Sequence, residues 1–318
     1  MGALDFEKPI LEIQRKIAEL QKMSHKHVDI LPELQKLEQK LDLAKEKTYG
    51  NLSAWQRIKI ARHPRRPYTL DYIRMMMTDF VELHGDRLFA DDFAMIAGFA
   101  KINNEKVMVI GHQKGRDTSE NVKRNFGCAH PEGYRKAMRV MRLAEKFKIP
   151  VVIFIDTPGA YPGIGGEERG QAQAIAENLR DMTRLKTPVI ATVIGEGGSG
   201  GALGIGIADY VLILQNAYYS VISPEGCASI LWRSATKAPE AAEALKLTGE
   251  HLIKFGIIDE IIPEPLGGAH HDPSMVAEQL KASLLAQIKR LKGLSTSELL
   301  DLRYEKFRTI GKFSFLQA

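Results

Sequence analysis

Cysteine is scarce in this chain of 318 residues, and its two cysteines, Cys128 and Cys227, share no CxxC spacing. Two cysteines are too few for a disulfide framework, and without that spacing they do not predict a zinc site. Apolar runs are short, none approaching the roughly 18 residues of a membrane span. Because the first residues lack the basic region and apolar stretch of a secretory signal, we expect a cytoplasmic protein with reduced thiols.

The common nucleotide-binding and metalloprotease motifs are missing as well. The sequence has no GxxxxGK[ST], no HExxH and no GxGxxG that opens a helix with a spaced acid. Its formal net charge is +5, which favours acidic partners such as nucleic acid, anionic lipid or phosphate-rich cofactors. No RRM, KH or zinc-finger signature accompanies that charge, so binding to nucleic acid is not expected.

The first sixty residues differ in pattern from the rest of the chain. Apolar residues recur at helical spacing over 10–20 and again over 34–41, and Ser24 to His27 and Pro32 interrupt them. This pattern predicts an antiparallel helical hairpin that is charged on its outer side. Because such an arm has too little core of its own, we favour a role in clasping another subunit over packing on its own domain.

Changes of pattern along the chain predict four segments. They are an N-terminal helical arm (1–60), a linker and helix (61–92), an α/β domain (93–270), and C-terminal helices with a basic tail (271–318). In the linker, Thr69 is predicted to cap a helix that continues to about His84. The neighbouring Arg62, Arg65 and Arg66 are expected to be solvated rather than bound to phosphates.

From about residue 93 the sequence alternates between strand and helix patterns. The strand candidates are 94–101, 106–112, 150–156, 188–194, 210–214 and 218–222. The helix candidates are 132–148, 167–185, 200–208, 224–232 and one or two helices over 274–310. Near-continuous apolar runs such as 151–155 are typical of strands covered on both faces. The predicted fold class is therefore α/β, with right-handed crossovers.

Two glycine-rich turns follow two of the buried strands, at 156–166 and at 195–202. Glycine lets the backbone approach a ligand closely, and α/β sheets bind ligands at the carboxyl ends of their strands. Free N–H groups at the beginning of a helix suit an oxyanion or a phosphate. A tight turn without a ligand would also use glycine, but two such turns favour a binding role.

The second turn also contains a G-x-S-x-G pattern centred on Ser199 between a strand and a helix, as in the nucleophile elbow of serine hydrolases. Asp209 or Asp259 followed by His270 or His271 would supply an acid and a base in the usual chain order. The pattern is short, and flanking glycines make a chance match easy. A serine hydrolase stays an alternative at this point.

Longer strings of the sequence resemble the signatures of one family. They are GHQKGRD at 111–117, DTPGAYPG within 156–171, GEGGSGGA at 195–202 and SVISPEGCASILW at 220–232, with further matches over 62–72 and 262–270. These strings resemble the alpha carboxyltransferase family of bacterial acetyl-CoA carboxylases. The likeness covers essentially the whole chain, the helical arm included.

The resemblance implies a crotonase-like (ClpP/crotonase) α/β fold of repeated ββα units that form a superhelix, with an N-terminal helical hairpin arm. It also implies carboxyl transfer from carboxybiotin to acetyl-CoA, giving malonyl-CoA for fatty acid biosynthesis. The expected partners are a zinc-containing beta subunit in an α2β2 assembly, a biotin carboxyl carrier protein, and a separate biotin carboxylase that uses ATP. No metal is expected in this chain, whose two cysteines cannot build a four-cysteine ribbon.

The resemblance also assigns roles to the two turns. It implies that backbone N–H groups of Gly200, Gly201 and Ala202 stabilise an oxyanion, more specifically the biotin oxygen, while the beta subunit holds the acetyl thioester. The residues expected to line the same cavity are Gly159, Ala160, Gly163, Gly197 and Gly198. Ser199 would then be structural, with its hydroxyl capping the turn.

No protein base is strictly required, since biotin itself can accept the methyl proton. A crotonase-type acyl-CoA hydratase or isomerase is a further alternative, but it would need a glutamate near the second turn, where Leu203 stands. Glu196 is expected either to orient the cavity or to form a surface salt bridge.

Overall fold

The computed structural model describes residues 4–23 and 30–311. The predicted interruption at 24–27 and the basic tail beyond residue 311 lie outside the described residues. Within the described part, no helix is both long and apolar enough to cross a membrane.

The N-terminal arm is a helical hairpin. A short 3-10 turn (Asp5–Glu7) precedes α1 (Lys8–Met23) and α2 (Leu31–Tyr49). Ile10, near the beginning of α1, packs with Tyr49 at the end of α2, so the two helices run antiparallel, as predicted. The Tyr49 hydroxyl donates to the Glu7 carboxylate at 3.0 Å, which ties the first turn to the end of the hairpin. Ile60 completes this small cluster from the next helix, α3 (Ala54–Ala61).

The helix that follows the linker is shorter than predicted. It is α4 (Thr69–Met76), and the chain turns extended at Met77 and enters strand β1 (Thr78–Glu82) instead of continuing to His84. Thr69 is not its cap, because its hydroxyl donates to the His112 carbonyl while the Asp71 carboxylate accepts the Tyr68 N–H at 2.8 Å. The sequence 78–82 carries β-branched and aromatic residues, and pairing with a strand farther along the chain decides its conformation.

Eight strands form one mixed sheet in the described part of the chain. After β1 come β2 (Met95–Ile102), β3 (Glu105–His112), β4 (Val151–Thr157), β5 (Val189–Gly198), β6 (Tyr210–Leu214), β7 (Tyr218–Ser220) and β8 (Glu260–Ile262). Their order is β1-β2-β3-β4-β5-β6-β8, and β7 pairs with the end of β5. The pairs from β1 to β3 are antiparallel, and those from β3 onward are parallel.

Strands β4 and β5 form the centre of the sheet and are buried along their whole length. They pair regularly up to Ile155 opposite Val193, and the next pair is Thr157 opposite Gly197. Strand β5 therefore carries two more residues than β4 over this interval, which is a bulge. Because parallel strands end at the same edge, the two glycine-rich turns that follow β4 and β5 meet there.

Helices cover the sheet on both faces. Those between β3 and β8 are α5 (Thr118–Lys123), α6 (Pro131–Phe147), α7 (Ile164–Glu168), α8 (Gln171–Met182), α9 (Ser199–Leu203), α10 (Pro224–Trp232), α11 (Ala238–Leu245) and α12 (Gly249–Lys254). The single helix predicted over 167–185 is two, because Gly170 takes a φ of 77° between them. The predicted helix 200–208 ends at Leu203, before Gly204 and Gly206. Helices α11 and α12 and strand β8 were not predicted.

The C-terminal stretch forms the two helices α13 (Pro273–Lys292) and α14 (Thr296–Arg308). Arg303 on α14 is fully buried and binds the Asp209 carboxylate and the carbonyls of Met182, Leu185 and Thr187. These partners lie before β5 and β6, so α14 is fixed at the amino ends of the strands, opposite the glycine turns. Cys227 packs against Ala228 and Ala241, as expected of a structural cysteine.

Candidate functional site

The two glycine-rich turns lie directly against each other. A Cβ atom added to Gly201 would stand 2.6 Å from the Ala160 nitrogen and 2.8 Å from the Gly159 oxygen. One added to Gly198 would stand 2.8 Å from the Thr157 oxygen. The backbones of the two turns are therefore in contact, and neither position has room for a side chain.

Gly159 and Gly200, at the rim of this contact, have open space where a side chain would stand. A Cβ atom added to Gly159 would meet nothing within 4 Å, and one added to Gly200 would meet only the Ile175 side chain at 3.7 Å. The absence of side chains at these positions leaves the backbone accessible to a ligand. The other two predicted glycines are placed differently: Gly197 pairs with Tyr219 of β7, and Gly163 stands before α7 against the Tyr161 ring.

Helix α9 determines which N–H groups of the second turn are free. It begins at Ser199, with Gly198 as its cap. In an α-helix the first N–H groups have no acceptor within the helix, so those of Gly200 and Gly201 are without a helical partner, at the half-buried Gly200 and at the buried Gly201. Ala202, the third donor predicted from the sequence, follows them in the same helix and is buried.

Ser199 does not lie in a hydrolase site. Its φ of 50° is unusual for a residue with a side chain, and it borders a cavity of about 300 Å³. That cavity is lined mostly by apolar side chains, among them Leu203, Tyr219 and Phe307, and by no histidine or acidic residue of the described chain. The predicted cap is also missing, because α9 begins without a side-chain hydrogen bond at its cap.

The acids and histidines proposed for a triad serve other purposes. Asp209 accepts the Val189 N–H and Asp259 accepts the Val211 N–H, each at 2.7 Å, at the amino ends of the strands. His270 lies in a loop and stacks on His63 with ring centroids 3.8 Å apart. Burial, together with the nearby His63, lowers the pKa of His270 to about 3. The structure therefore does not favour the serine hydrolase alternative.

A buried ionic cluster lies beneath the two turns. The Lys114 ammonium donates to Asp156 Oδ1 at 2.6 Å and to Glu196 Oε1 at 2.8 Å. Burial alone would lower the pKa of Lys114, but the two carboxylates outweigh it and hold that pKa above its usual range. Glu196 is buried, so of the two alternatives for it the surface salt bridge is wrong. Lys114 itself was not singled out from the sequence, although it stands in the middle of GHQKGRD.

Arg62 and Tyr218 complete the cluster on its other side. Glu196 Oε2 accepts from Arg62 Nε at 2.7 Å and from the Tyr218 hydroxyl at 2.6 Å. The same guanidinium reaches the Glu225 carboxylate at 2.5 Å. Burial would raise the pKa of Glu196, but Lys114 and Arg62 bring it down to about 2. Glu196 is therefore ionised and has both oxygens engaged.

The linker arginines are not simply solvated, as the sequence had suggested. Arg66 is 1% exposed and forms a bidentate ion pair with Glu264, with Nη1 to Oε2 at 2.9 Å. Its Nε also donates to the Ile194 carbonyl of β5 at 2.7 Å. Of Arg62, Arg65 and Arg66, only Arg65 keeps its side chain outside these buried ion pairs. It borders the cavity between the arm and the 266–271 loop.

Within the described part of the chain, the site contains no evident metal centre. No group of three or more His, Cys, Asp or Glu side chains that could hold a metal ion is found in residues 4–23 and 30–311. His112, at the end of β3, is fully buried, and burial followed by the charge of Lys114 lowers its pKa to about 3. The groups that the site offers for chemistry are therefore backbone N–H groups and a buried ionic cluster.

Comparison with protein families gives one match over almost the whole chain. A family model described as acetyl co-enzyme A carboxylase carboxyltransferase-like matches residues 3–311. The chain is 59% identical over 309 residues to the acetyl-coenzyme A carboxylase carboxyl transferase subunit alpha of Pseudomonas aeruginosa, covering 97% of this chain and 98% of the relative. It is 56% identical over 311 residues to that of Geobacter metallireducens, with 98% of each chain covered.

Solved structures share the fold at low sequence identity. A Pseudomonas malonate decarboxylase hetero-tetramer in complex with coenzyme A is 16% identical with a TM-score of 0.56, covering 67% of this chain and 85% of that one. Transcarboxylase 12S is 21% identical with a TM-score of 0.52, covering 67% of this chain and 41% of that one, so this chain matches about two fifths of its length. At these identities the likeness concerns the fold, and the expected crotonase-like α/β fold is confirmed.

Proposed function

The chain belongs to the family of acetyl-CoA carboxylase carboxyltransferase alpha subunits, enzyme subunits that act in carboxyl transfer, and we propose that its two glycine turns are its share of the active site. Family membership implies acetyl-CoA and a carboxylated biotin as the reactants. The observation that carries the proposal is the open backbone at Gly159 and Gly200, where no side chain keeps a ligand away from the N–H groups.

In this proposal the N–H groups of Gly200, Gly201 and Ala202 bind a developing oxyanion. Carboxybiotin supplies the carboxyl group when it is bound. The turn fits a ureido oxygen, because its backbone is open at Gly200 and the first N–H groups of α9 have no acceptor within the helix. One donor of this kind typically contributes about 2.7–4 kcal/mol to the stability of a transition state. Gly159, Ala160, Gly163, Gly197 and Gly198 are proposed to line the same site.

We assign no general base to this chain. Glu196 is the carboxylate nearest in sequence to the second turn, but both of its oxygens accept hydrogen bonds from cations or from Tyr218. With its pKa held at about 2 it stays ionised and occupied. The hydratase or isomerase alternative lacks support for the same reason, and Leu203 at the end of α9 offers no acid.

The active site is proposed to need a second subunit. The relatives are named as alpha subunits, and the malonate decarboxylase with a similar fold is a hetero-tetramer. We propose a beta subunit that binds zinc and holds the acetyl thioester in an α2β2 complex. A biotin carboxyl carrier protein would deliver the carboxyl group, and a separate biotin carboxylase would consume ATP. The helical arm (Lys8–Tyr49) is proposed to clasp the partner.

The proposed function predicts that activity depends on both subunits. Malonyl-CoA formation from acetyl-CoA and carboxybiotin is measured with this chain alone, with the beta subunit alone and with both. We expect a rate only from the pair, because each chain contributes part of one site. Malonyl-CoA made by this chain alone would contradict the shared site. A folded complex that makes none would contradict the carboxyltransferase function itself.

The Ser199 hydroxyl is expected to be dispensable for chemistry. Ser199→Ala keeps the backbone N–H groups of the turn, and no acid or histidine borders its cavity in the described chain. The variant in complex with the beta subunit should therefore retain kcat within about threefold of wild type, since no backbone donor is lost and the hydroxyl forms no cap hydrogen bond in the turn. A fluorophosphonate probe should label neither protein. Covalent labelling of wild type that disappears in Ser199→Ala would instead support a hydrolase.

A further inference from the structure

We propose that Lys114 is a positioning residue that fixes the spacing between the two glycine turns and hence the direction of the Gly200 and Gly201 N–H groups. The inference rests on the proposed function, because it concerns the same oxyanion site. The Lys114 ammonium binds the carboxylates of Asp156 and Glu196, and Lys114 acts through these two residues.

The first argument is the position of those carboxylates. Asp156 is the second-last residue of β4 and stands where the first turn begins. Glu196 lies two residues before the end of β5 and directly precedes Gly197 and Gly198 of the second turn. A single ammonium binds both, at 2.6 and 2.8 Å. Lys114 therefore connects the two strand ends at the points from which the turns begin.

The second argument is that the regular strand ladder is broken at this place. Between Ile155 and Thr157 the register of β4 and β5 shifts by two residues before the strands pair again at Thr157 and Gly197, so the backbone pairing is interrupted where Asp156 and Glu196 stand. The contacts that replace it are the Lys114 bridge and the hydrogen bond from Glu196 N to Asp156 Oδ1 at 2.9 Å. Of these two, only Lys114 supplies a charge that holds the carboxylates together.

The third argument is the contact between the turns themselves. Gly201 packs on the backbone of Gly159 and Ala160 without space for a methyl group. A relative shift of the two strand ends would therefore move the N–H groups of Gly200 and Gly201. Arg62 cannot take over, since of the two carboxylates it binds only Glu196. In the described chain, Asp156 forms no ion pair other than the one with Lys114. Without Lys114 the two buried carboxylates would repel each other across the bulge.

The test is Lys114→Met in complex with the beta subunit, assayed for malonyl-CoA formation. We expect kcat to fall about 30- to 100-fold at about pH 8, because misplacement of catalytic groups by about 1 Å has effects of that size. The KM for acetyl-CoA should change less than about threefold, because the beta subunit is proposed to bind the acetyl thioester and the substitution does not alter that subunit. If Lys114→Met fails to assemble, Lys114→Gln is measured with the same expectation.

The pH dependence separates positioning from a general loss of stability. Removal of the ammonium takes away the largest charge effect that lowers the pKa of Glu196, which keeps Arg62 and the Tyr218 hydroxyl as neighbours. At lower pH Glu196 should therefore bind a proton, and an O–H···O bond to Asp156 replaces the bridge. The variant's rate relative to wild type should therefore recover at least about fivefold between about pH 8 and pH 6, since a shared proton substitutes for the missing charge. Wild type should show no corresponding change.

Lys306→Met is the matched control. Its side chain is 13% exposed against 12% for Lys114, and it also forms an ion pair with a carboxylate, Asp259, but at the amino end of the strands. We expect it to lower stability without lowering kcat. Two results with an active wild-type complex would overturn this inference alone. In the first, Lys114→Met has the same kcat as wild type. In the second, its loss of kcat does not depend on pH and equals the loss of kcat in Lys306→Met. A wild-type complex that makes no malonyl-CoA overturns the proposed function and the inference with it.

Discussion

Replacing Gly201 with alanine should nearly abolish carboxyl transfer. The added Cβ would stand 2.6 Å from the Ala160 nitrogen and 2.8 Å from the Gly159 oxygen, so the backbones of the two turns must separate. The N–H groups of Gly200 and Gly201 would then point away from the oxyanion that they are proposed to bind. Loss of one such donor typically lowers kcat about 100- to 1000-fold, and we expect at least the lower figure. Gly201→Val should be at least as severe.

Gly200→Ala is the matched comparison in the same turn. It also keeps every backbone N–H, but its Cβ would meet only the Ile175 side chain at 3.7 Å, an ordinary contact. Its loss of kcat should be less than about tenfold, well below the effect of a displaced donor. Size-exclusion chromatography of the complex with the beta subunit, together with circular dichroism, checks that both variants are folded. Equal rates for Gly201→Ala and wild type would discard the assignment of the donors while leaving the function intact.

Removal of the Arg66 side chain should have the largest effect on stability. Arg66→Met leaves the Glu264 carboxylate fully buried without its cation and also removes the hydrogen bond to the Ile194 carbonyl. Breaking a buried pair from one side typically costs about 3–5 kcal/mol, and we expect the free energy of unfolding at neutral pH to fall by that amount. Urea denaturation followed by tryptophan fluorescence measures it.

The same variant should show a defined pH dependence. In the wild-type protein burial would raise the pKa of Glu264, but Arg66 outweighs burial and holds it below its usual value. A carboxylate whose pKa is lower in the folded state than in the unfolded state stabilises the fold at pH values above its unfolded pKa, about 4.3 for Glu. This contribution to stability is lost as pH falls through the pKa of the folded state. In Arg66→Met burial prevails and the pKa rises. The stability difference from wild type should therefore be larger at about pH 8 than at about pH 5.

A double variant controls for lost packing. Arg66→Met with Glu264→Gln removes both charges, so no uncompensated carboxylate stays buried, and Asn216 can still donate to the amide oxygen. It should recover at least about 1 kcal/mol relative to Arg66→Met, because replacing a whole buried pair is far less costly than breaking it. A double variant that is no more stable than the single one, together with a pH-independent difference, would assign the effect to packing rather than to charge.

The elements that the sequence predicted well are those with strong local patterns. The buried strands predicted at 150–156 and 188–194 were recognisable because they contain near-continuous apolar runs, and the hairpin because its apolar residues recur at helical spacing. Elements that depend on distant partners were missed. Residues 78–82 become a strand through pairing with β2, and 260–262 become a strand by lying beside β6.

The candidate site divides in the same way. Both glycine turns could be predicted, because a cluster of glycines directly after a buried strand is a local pattern typical of ligand-binding turns. The contact of Gly201 with Gly159 could not be predicted, since two helices and a strand separate them along the chain. Ser199 matched a catalytic pattern by spacing, and only the apolar lining of its cavity and the distant places of Asp209 and Asp259 counted against it.

The sequence by itself determined the α/β class, the family and the two backbone turns proposed for the chemistry, because each depends on residues that are neighbours along the chain. The tertiary structure decided which charges are buried and what they hold. Lys114, Asp156 and Glu196 come from three different strand ends, and Arg66 and Glu264 lie nearly two hundred residues apart. Coulomb energy depends on distance and burial in the folded chain, and neither quantity is encoded in sequence spacing.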